Sequence, residues 1–349
     1  MPSPLYRRQS PSLATTYADV ENHALHQDEI LVGTPGAITI RQNANGTRYH
    51  VRQYYDFEGT KRDQYLCRVD APDGQALVDS WRTRIDEARQ LRGSVRLLAR
   101  EGYSVLAARH LAAIAPLSRH GVFEAGAVLV GTHAFEVIAN RLGIRVAAFG
   151  TEDVDIARPS KLALAEPPAG GLLAMLRESG IDFVGVPGFA HTVPSTSFKE
   201  KGRSRFTVDL LVPARGRAIE TLPVPELEAH ATALPNLRYL LAETQMGAAI
   251  STHGVVTVRV PVPERFAWHK LIVAQLRTGR DAKSRKDLRQ AAVLLAATGE
   301  LHPGALEEAF RKTPLSARTL IRKSLARVRD DLAPHPGAWQ EAASAAKLK

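Results

Sequence analysis

Hydrophobic and polar positions alternate in three short segments near the start of the chain, at residues 37–41, 48–52 and 65–68. The turn-forming pairs Asn45-Gly46 and Glu58-Gly59 lie in the gaps. A period of two is typical of strands, and Asn-Gly favours tight turns between antiparallel neighbours. The pattern predicts a small antiparallel meander.

Residues 74–114 have their apolar positions at helical spacing instead. One stripe carries the large side chains, and many arginines lie opposite it. The stripe comprises Leu77, Trp81, Ile85, Ala88 and Leu91. We therefore expect an N-terminal module of strands and helices over residues 13–114, preceded by a proline- and serine-rich leader, residues 1–12, that is predicted to be disordered.

The middle of the chain mixes both periodicities. Residues 128–130 form an apolar run that ends in Gly131-Thr132 and is followed by an amphipathic stretch to residue 142, which predicts strand, tight turn and helix. A further helix is expected at about 168–179. Further strands are expected at 145–148, 154–156, 183–186, 206–212 and 255–260. This predicts a mixed-sheet α/β core over residues 115–262.

After Pro263 the pattern is helical, with Pro303 and Pro314 marking breaks near helix starts. We expect a helical C-terminal domain over residues 263–340 and a short tail over 341–349. The predicted fold class is therefore α/β (α+β): a mixed-sheet core, a helical C-terminal part and a small N-terminal strand-plus-helix module.

Composition narrows the class of protein. The 349 residues are 44% hydrophobic and 23% charged, and no apolar run approaches the roughly 18 residues that span a bilayer. No secretory signal is visible, so a cytoplasmic location without a membrane partner is expected. The single cysteine, Cys67, predicts a small buried side chain and no internal disulfide.

The chain is basic, with 46 Lys and Arg against 36 Asp and Glu and a formal charge of +10. A basic balance favours polyanionic partners such as nucleic acids or nucleotide phosphates. Net charge gains weight only where the cations lie near a reaction centre.

Two aspartates, Asp153 and Asp155, stand two apart in a β-branched run, so on a strand both would project from one face. Paired carboxylates repel each other unless a cation lies between them, and they suit Mg²⁺ or Mn²⁺. The alternative is an exposed strand face with two solvated acids.

Upstream, Gly131 would let the backbone approach a phosphate, and Thr132 would stand at a helix N-terminus. The alternative is that Thr132 only caps the helix and Gly131 only turns the chain. Downstream, Asp209 is a lone acid among apolar residues, and a third carboxylate there would complete a two-metal site. Its alternative role is to pair with a nearby arginine.

These motifs together resemble the DNA polymerase beta nucleotidyltransferase superfamily. Within it, residues 129–135 and 151–157 look like bacterial nucleotidyltransferase-like proteins related to AbiEii-type toxins, over about residues 123–294. The resemblance implies transfer of an NMP from an NTP substrate to a hydroxyl acceptor, with Asp153, Asp155 and Asp209 as catalytic metal ligands. The 20 residues between Thr132 and Asp153 exceed the short spacer of the simplest members, and the strand-like residues 144–148 would accommodate the excess.

The resemblance also implies nucleotide-binding roles for two charged residues of the C-terminal part. Lys270 would contact the triphosphate, and Asp287 would orient the triphosphate or the lysine. The alternatives are a solvated helix face for Lys270 and an ordinary capping box, beginning at Ser284, for Asp287.

Two basic segments flank the site in sequence, at residues 199–205 and 265–289. They fit phosphate recognition and an RNA acceptor, with tRNA the leading candidate from the resemblance, or they are solubilising loops. The predicted acceptor-binding residues are Lys199, Lys201, Arg203 and Arg277. The alternative function is a nucleic-acid-binding or antitoxin-like interaction protein on a degenerate transferase scaffold. Four histidines lack metal-ligand spacing and are expected to be structural: His133, His191, His253 and His269.

Overall fold

The computed structural model describes residues 4–27, 29–164, 169–187, 193–277 and 281–348. His191 and the first residue of the helix expected at 168–179 lie outside these ranges. The helices are α1 (Pro11–His26), α2 (Gly74–Arg100), α3 (Ala108–Arg119), α4 (Gly131–Arg141), α5 (Gly171–Arg177), α6 (Leu237–Leu241), α7 (Pro263–Leu276), α8 (Asp281–Leu301), α9 (Ala305–Arg311), α10 (Arg318–Arg327) and α11 (Pro336–Ala346).

Strands alternate with the helices up to residue 261. They are β1 (Arg7–Arg8), β2 (Ala37–Gln42), β3 (Arg48–Tyr55), β4 (Lys61–Arg68), β5 (Val128–Val130), β6 (Ile144–Arg145), β7 (Asp153–Ala157), β8 (Phe183–Gly185), β9 (Ser197–Glu200), β10 (Thr207–Pro213), β11 (Glu220–Val224), β12 (Ala229–Leu234), β13 (Thr244–Ser251) and β14 (Gly254–Pro261). The predicted mixed α/β fold class is confirmed.

The main sheet has seven strands in the described chain. Five of them run in the order β11-β12-β10-β7-β5, and the other two branch from β10, since β9 pairs with β10 and β8 pairs with β9. Strands β7 and β10 are parallel, whereas β5 is antiparallel to β7. The other edge of β10 is shared, because β9 pairs with its first half and β12 with its last three residues. The strands that carry the candidate carboxylates therefore lie in the middle of the sheet.

Alternation along the central strands explains why they are central. In β10 every second residue is buried, and in β7 the buried Val154 and Ile156 alternate with the two aspartates. Phe123, Phe135, Phe183 and Phe206 are fully buried in the same hydrophobic core as the C-terminal helices. A carboxylate on the polar face of either strand is thus held by a rigid, packed backbone.

The predicted meander is present, with β3 in the middle of a three-stranded antiparallel sheet. The helix after it begins at Gly74 as expected, but its buried stripe differs by one position, since Val78 is buried and Leu77 is 37% exposed. Cys67 is buried, as expected. The N-terminal module also includes α1, which its sequence pattern did not predict.

The expectation of a disordered leader over residues 1–12 is wrong for the residues that the structure describes. Leu5 and Tyr6 are buried, and β1 pairs antiparallel with β6. The backbone N–H of Leu5 donates to His335 Nε2 at 3.2 Å, and the Tyr6 ring stacks on the His335 ring with centroids 5.3 Å apart. Prolines and serines indicated disorder, but the two hydrophobic residues find partners in the distant C-terminal part.

The C-terminal part is helical from α7 onward, as predicted, and α7 packs against α8 and α10. Helix α9 begins two residues after Pro303, in agreement with the expected break. None of the described helices is long and apolar enough to cross a membrane. The predicted domain boundaries at 114, 262 and 340 stay predictions.

Candidate active site

The sheet register brings the three candidate carboxylates together. Asp155 on β7 is paired with Asp209 on β10, and Asp153 is paired with Thr207. On its other side, Asp155 is paired with Val130, the last residue of β5. Residues paired across neighbouring strands project from the same face of a sheet. The sequence alone predicted two carboxylates on one face, and the register adds the third.

Gly131 follows β5 directly and lies against Asp155. Its φ is +69°, and a Cβ built on it would lie only 2.1 Å from Asp155 Oδ2. Glycine is therefore needed twice over, for the left-handed backbone and for the close approach of the carboxylate. The alternative, in which Gly131 only turns the chain, does not explain its contact with Asp155.

Helix α4 begins at Gly131, so Thr132 is inside the first turn and is not the N-cap. The N-cap residue is Val130, and no side chain caps the helix. The first amide groups of a helix have no intrahelical acceptor and form a natural anion site. Thr132 is buried, with Gln290 Nε2 at 3.5 Å from its hydroxyl oxygen.

The proximity of the carboxylates is visible in their pKa values. Burial and then the charge of Asp209 raise the pKa of Asp155 to about 6, although the charge of Lys270 opposes the shift. Burial also raises the pKa of Asp209, against the hydrogen bond from Ser197. Both groups hold their protons more tightly than isolated aspartic acids, because burial and negative neighbours disfavour the charged form.

Hydroxyl groups and a lysine hold the two outer carboxylates. The Ser197 hydroxyl donates to Asp209 Oδ1, and the Thr207 hydroxyl donates to Asp153 Oδ1 at 3.0 Å. Lys283 Nζ lies 3.8 Å from Asp153 Oδ2. Among the described residues, no arginine forms an ion pair with Asp209, so the alternative of an arginine partner is wrong there.

Opposite the carboxylates, Asp287 holds two cations. Lys270 Nζ donates to Asp287 Oδ1 at 2.8 Å, and Arg277 Nε donates to Asp287 Oδ2. The side chains of Lys270 and Asp287 are only 10% and 3% exposed. Lys270 is therefore not on a solvated helix face. The capping-box alternative for Asp287 is also wrong, because α8 begins at Asp281 and the Ser284 hydroxyl donates to the carbonyl of Ala274.

Asp153, Asp155 and the group around Asp287 face one cavity of about 570 Å³, whereas Asp209 is not among its described lining residues. One wall carries Gly131, Thr132, Asp153 and Asp155, and another carries Lys270, Arg277, Lys283, Lys286 and Asp287. Lys286 Nζ also donates to the carbonyl of Gly150 at 2.8 Å, which ties α8 to the loop before β7. A cavity of this size suits a small molecule with several phosphates.

The residues present fit a divalent cation, although the structure does not arrange them as a closed site. In addition to burial, the charges of Asp209 and Asp153 raise the pKa of Asp155, and the charge of Asp153 also raises the pKa of Asp209. Carboxylate oxygens gathered in this way suit Mg²⁺ or Mn²⁺. Within the described ranges, no group of three or more His, Cys, Asp or Glu side chains is arranged to hold a metal ion. One oxygen of Asp153 and one of Asp209 are engaged by hydroxyl groups instead, so the metal site stays a prediction.

Only one of the four predicted acceptor-binding residues is among the described residues that line the cavity. Arg277 lines the cavity but is paired with Asp287. Lys199 is on β9, Lys201 lies 3.6 Å from Asp182, and Arg203 is on an exposed turn. The described lining of the cavity includes Arg205 but none of these three.

Several residues of the site carried little signal in the sequence. Ser197 and Thr207 are ordinary strand residues until the register places their hydroxyls on the carboxylates. Lys283 and Lys286 belong to the basic segment, but only the helix start at Asp281 shows that they face the cavity. His133 and His269 are buried, as expected of structural histidines.

The protein presents carboxylates of a mixed sheet to a cavity that is also lined by lysines. This arrangement is typical of enzymes that transfer nucleotidyl groups. The chain belongs to the Nucleotidyltransferase family, which matches residues 108–314, more than half of its length. The match includes β5, β7, β10, α7 and α8, and so every element described above as part of the site.

One solved structure is similar to this chain, an antigenic nucleotidyltransferase-like protein from Paracoccidioides brasiliensis. It is 17% identical, the similarity covers 67% of this chain and 92% of that one, and the TM-score is 0.33. No curated protein matches the sequence.

Proposed function

We propose that the protein transfers an NMP from an NTP to a hydroxyl of an RNA acceptor, in a reaction that depends on Mg²⁺ or Mn²⁺. The observation that supports this most directly is the position of Asp155. It is paired with Asp209, touches Gly131 at the start of α4 and shares a cavity with Lys270.

Asp153, Asp155 and Asp209 would hold the metal, which supplies the positive charge that stabilises the attacking oxygen and the leaving pyrophosphate. Asp209 would also help to activate the acceptor hydroxyl. Ser197 fixes the carboxylate of Asp209 for this role, as Thr207 fixes that of Asp153.

The triphosphate would lie between α4 and the cationic wall. Gly131 and Thr132 offer the uncapped start of α4, and Lys270 and Lys286 offer positive charge. Asp287 would orient Lys270 and Arg277, as its two contacts indicate. The acceptor oxygen then attacks the α-phosphorus, and the bond from that phosphorus to the pyrophosphate oxygen breaks.

The acceptor is the finer part of the proposal. RNA is supported by the charge of +10 and by basic residues beside the cavity, and tRNA by the resemblance to AbiEii-type toxins. Lys199, Lys201, Arg203 and Arg277 are the proposed acceptor-binding residues.

The test is incubation with each labelled NTP, Mg²⁺ and total cellular RNA. Label should enter RNA with the wild-type protein and should be absent with Asp155→Asn or with EDTA, while Asp79→Asn on the exposed face of α2 should transfer normally. Label that enters RNA equally with Asp155→Asn contradicts the proposed site. RNA binding without transfer of any NTP would favour the alternative, a nucleic-acid-binding protein on a degenerate scaffold.

A further inference from the structure

Helix α10 has a composition unlike the rest of the chain. Its ten residues include Arg318, Arg322, Lys323 and Arg327 and no acid. Cations in the first turn of a helix oppose the helix dipole, so Arg318 does not stabilise the helix through its charge. A concentration of one sign of charge without internal compensation points to an anionic partner.

Two of the four cations have structural contacts. Arg318 donates to the carbonyl of Arg311, and Arg322 donates to the carbonyl of Ala346. Lys323 and Arg327 are exposed, and neither forms an ion pair within the residues that the structure describes. They stand four residues apart and so share one face of the helix.

The position of α10 links this face to the active site. The Ser324 hydroxyl, next to Lys323 in the chain, donates to the carbonyl of Leu271 at 2.7 Å. Leu271 follows Lys270, whose side chain lines the cavity. Helix α10 therefore crosses α7 at the level of the cationic wall.

A second link runs through α8. Arg289 of α8 lies 2.9 Å from Asp331, which follows α10 by four residues. Within the two preceding turns of α8, Lys283 and Lys286 line the cavity and Arg285 is exposed. The α8–α10 surface, defined here as the exposed cations Lys283, Arg285, Lys323 and Arg327, thus begins at the cavity with Lys283 and continues onto the outside of the helical part.

We propose that the α8–α10 surface binds the phosphate backbone of the RNA acceptor and leads its reactive end into the cavity. This inference rests on the proposed function, since it concerns the acceptor of that reaction. A single NTP would be satisfied by the cations inside the cavity. Exposed cations spread over two helices suit instead a chain of phosphates, which is bound mainly by charge and with strong salt dependence.

The double variant Lys323→Gln, Arg327→Gln tests the surface. Its matched control is Arg311→Gln, Lys312→Gln on α9, which removes the same charge from residues that already have acidic partners, Glu307 and Glu308. The probe is 5′-fluorescein-labelled tRNA, and the measurement is fluorescence anisotropy from 50 to 300 mM KCl. The α10 variant should bind roughly ten- to hundredfold more weakly at 0.1 M salt, with a log-log slope smaller by about 1.4 to 1.8. The control should match the wild type.

The stabilisation of the protein by NTP with Mg²⁺, measured as a shift in Tm, separates this inference from the proposed function. The α10 variant should keep the full shift. Equal tRNA affinity of the wild type and the α10 variant, with the shift intact, overturns the α8–α10 surface and leaves the transferase proposal standing. If the wild type shows neither the shift in Tm nor any transfer, the transferase proposal is overturned. Binding of polyglutamate with the same salt slope as tRNA would mean that an acidic protein is the partner and would overturn the RNA assignment.

Discussion

The contact between Gly131 and Asp155 is the tightest point of the candidate site. The carboxylate oxygen occupies the position that a Cβ on Gly131 would need. Because β5 and β7 are paired in the sheet, neither backbone can move away without breaking the ladder. A substitution at this residue therefore reports on the carboxylate as much as on the loop.

Gly131→Ala should lower the free energy of unfolding by at least about 1–2 kcal/mol, because alanine is strained at positive φ. It should also displace Asp155 and reduce transfer by roughly a hundredfold or more. Chemical denaturation and the labelled-NTP assay measure the two effects. Gly93→Ala in α2 is the control, since a Cβ there has no atom within 4 Å and alanine favours the helix. A fully active Gly131→Ala enzyme would mean that Asp155 is not positioned by this contact.

The pH dependence of stability should reveal Asp155. Its folded-state pKa of about 6 lies above the unfolded value of 3.8, so the metal-free folded state binds the extra proton. Asp155 therefore destabilises the fold as pH rises from about 4 to 6, and fully so above that range. In EDTA, Asp155→Asn should have a higher Tm than the wild type at pH 8, and the difference should vanish near pH 4. Asp79→Asn is the control, because hydrogen bonds with Gln75 and Arg82 lower the pKa of that exposed acid. A Tm difference that grows as pH falls would contradict the assigned direction.

Asp287→Ala should be among the most destabilising single changes at the site. It leaves the buried Lys270 ammonium without its partner, which typically costs about 3–5 kcal/mol. It should also weaken the NTP-dependent shift in Tm, because Lys270 and Arg277 lose their common anchor. Asp331→Ala, which breaks an exposed pair with Arg289, should cost at most about 1 kcal/mol. Urea denaturation measures the free energy of unfolding of both variants. Equally small losses in the two variants would show that the buried pair is not a structural anchor.

At the scale of elements, the central strands were predictable because alternation reveals them. Residues 154–156 and 206–212 were expected to be strands. The structure extends the first by one residue at each end, to β7, and shifts the second by one residue, to β10. Each strand has buried residues at alternate positions, so the local sequence pattern indicates which side chains pack into the core. Their pairing with each other was not predictable, because register depends on contacts between distant residues.

Other elements lacked such a pattern. In β13 the consecutive residues Gly247, Ala248 and Ala249 are all buried and give no alternation of hydrophobic and polar positions. In β11, Pro223 argues against a strand, yet this strand lies at the edge of the sheet, where proline is tolerated. The contact between Lys270 and Asp287 joins residues 17 positions apart on α7 and α8. The resemblance implied that Asp287 would orient the lysine or the triphosphate, but no local pattern in the sequence indicates this contact.

The N-terminal strand provides the prediction at this scale. Tyr6→Ala removes a buried ring that stacks on His335 and a hydroxyl that donates to Glu300, and should cost about 3–5 kcal/mol. Thermal denaturation should show a clear fall in Tm. Tyr55→Ala is the control, because that ring is 50% exposed. An unchanged Tm for Tyr6→Ala would restore the expectation of a leader that contributes nothing.

At the scale of the whole molecule, the charge of +10 is distributed over separate surfaces. The turn after β9 carries Lys201 and Arg203, which are not among the described residues that line the cavity. The α8–α10 surface begins in the cavity itself. The two surfaces can be tested independently.

Neutralising Lys199, Lys201 and Arg203 together should weaken RNA binding without altering the NTP-dependent shift in Tm. Each lost phosphate contact should reduce the log-log salt slope by about 0.7 to 0.9, so up to about 2.1 to 2.7 for three. Lys201 has a partner in Asp182, so its own share should be the smallest. Anisotropy with labelled tRNA measures the slope, and an unchanged slope would remove this turn from the acceptor site.

The anchoring of the first strand also constrains the order in which a newly made chain completes its fold. Leu5 is bonded to a residue 330 positions later, and Tyr6 to one 294 positions later. During synthesis these two residues leave the ribosome 330 and 294 residues before their partners. Until then their hydrophobic side chains are exposed to chaperones and to other nascent chains. We expect Leu5 and Tyr6 to reach their native contacts long after the ribosome has released them.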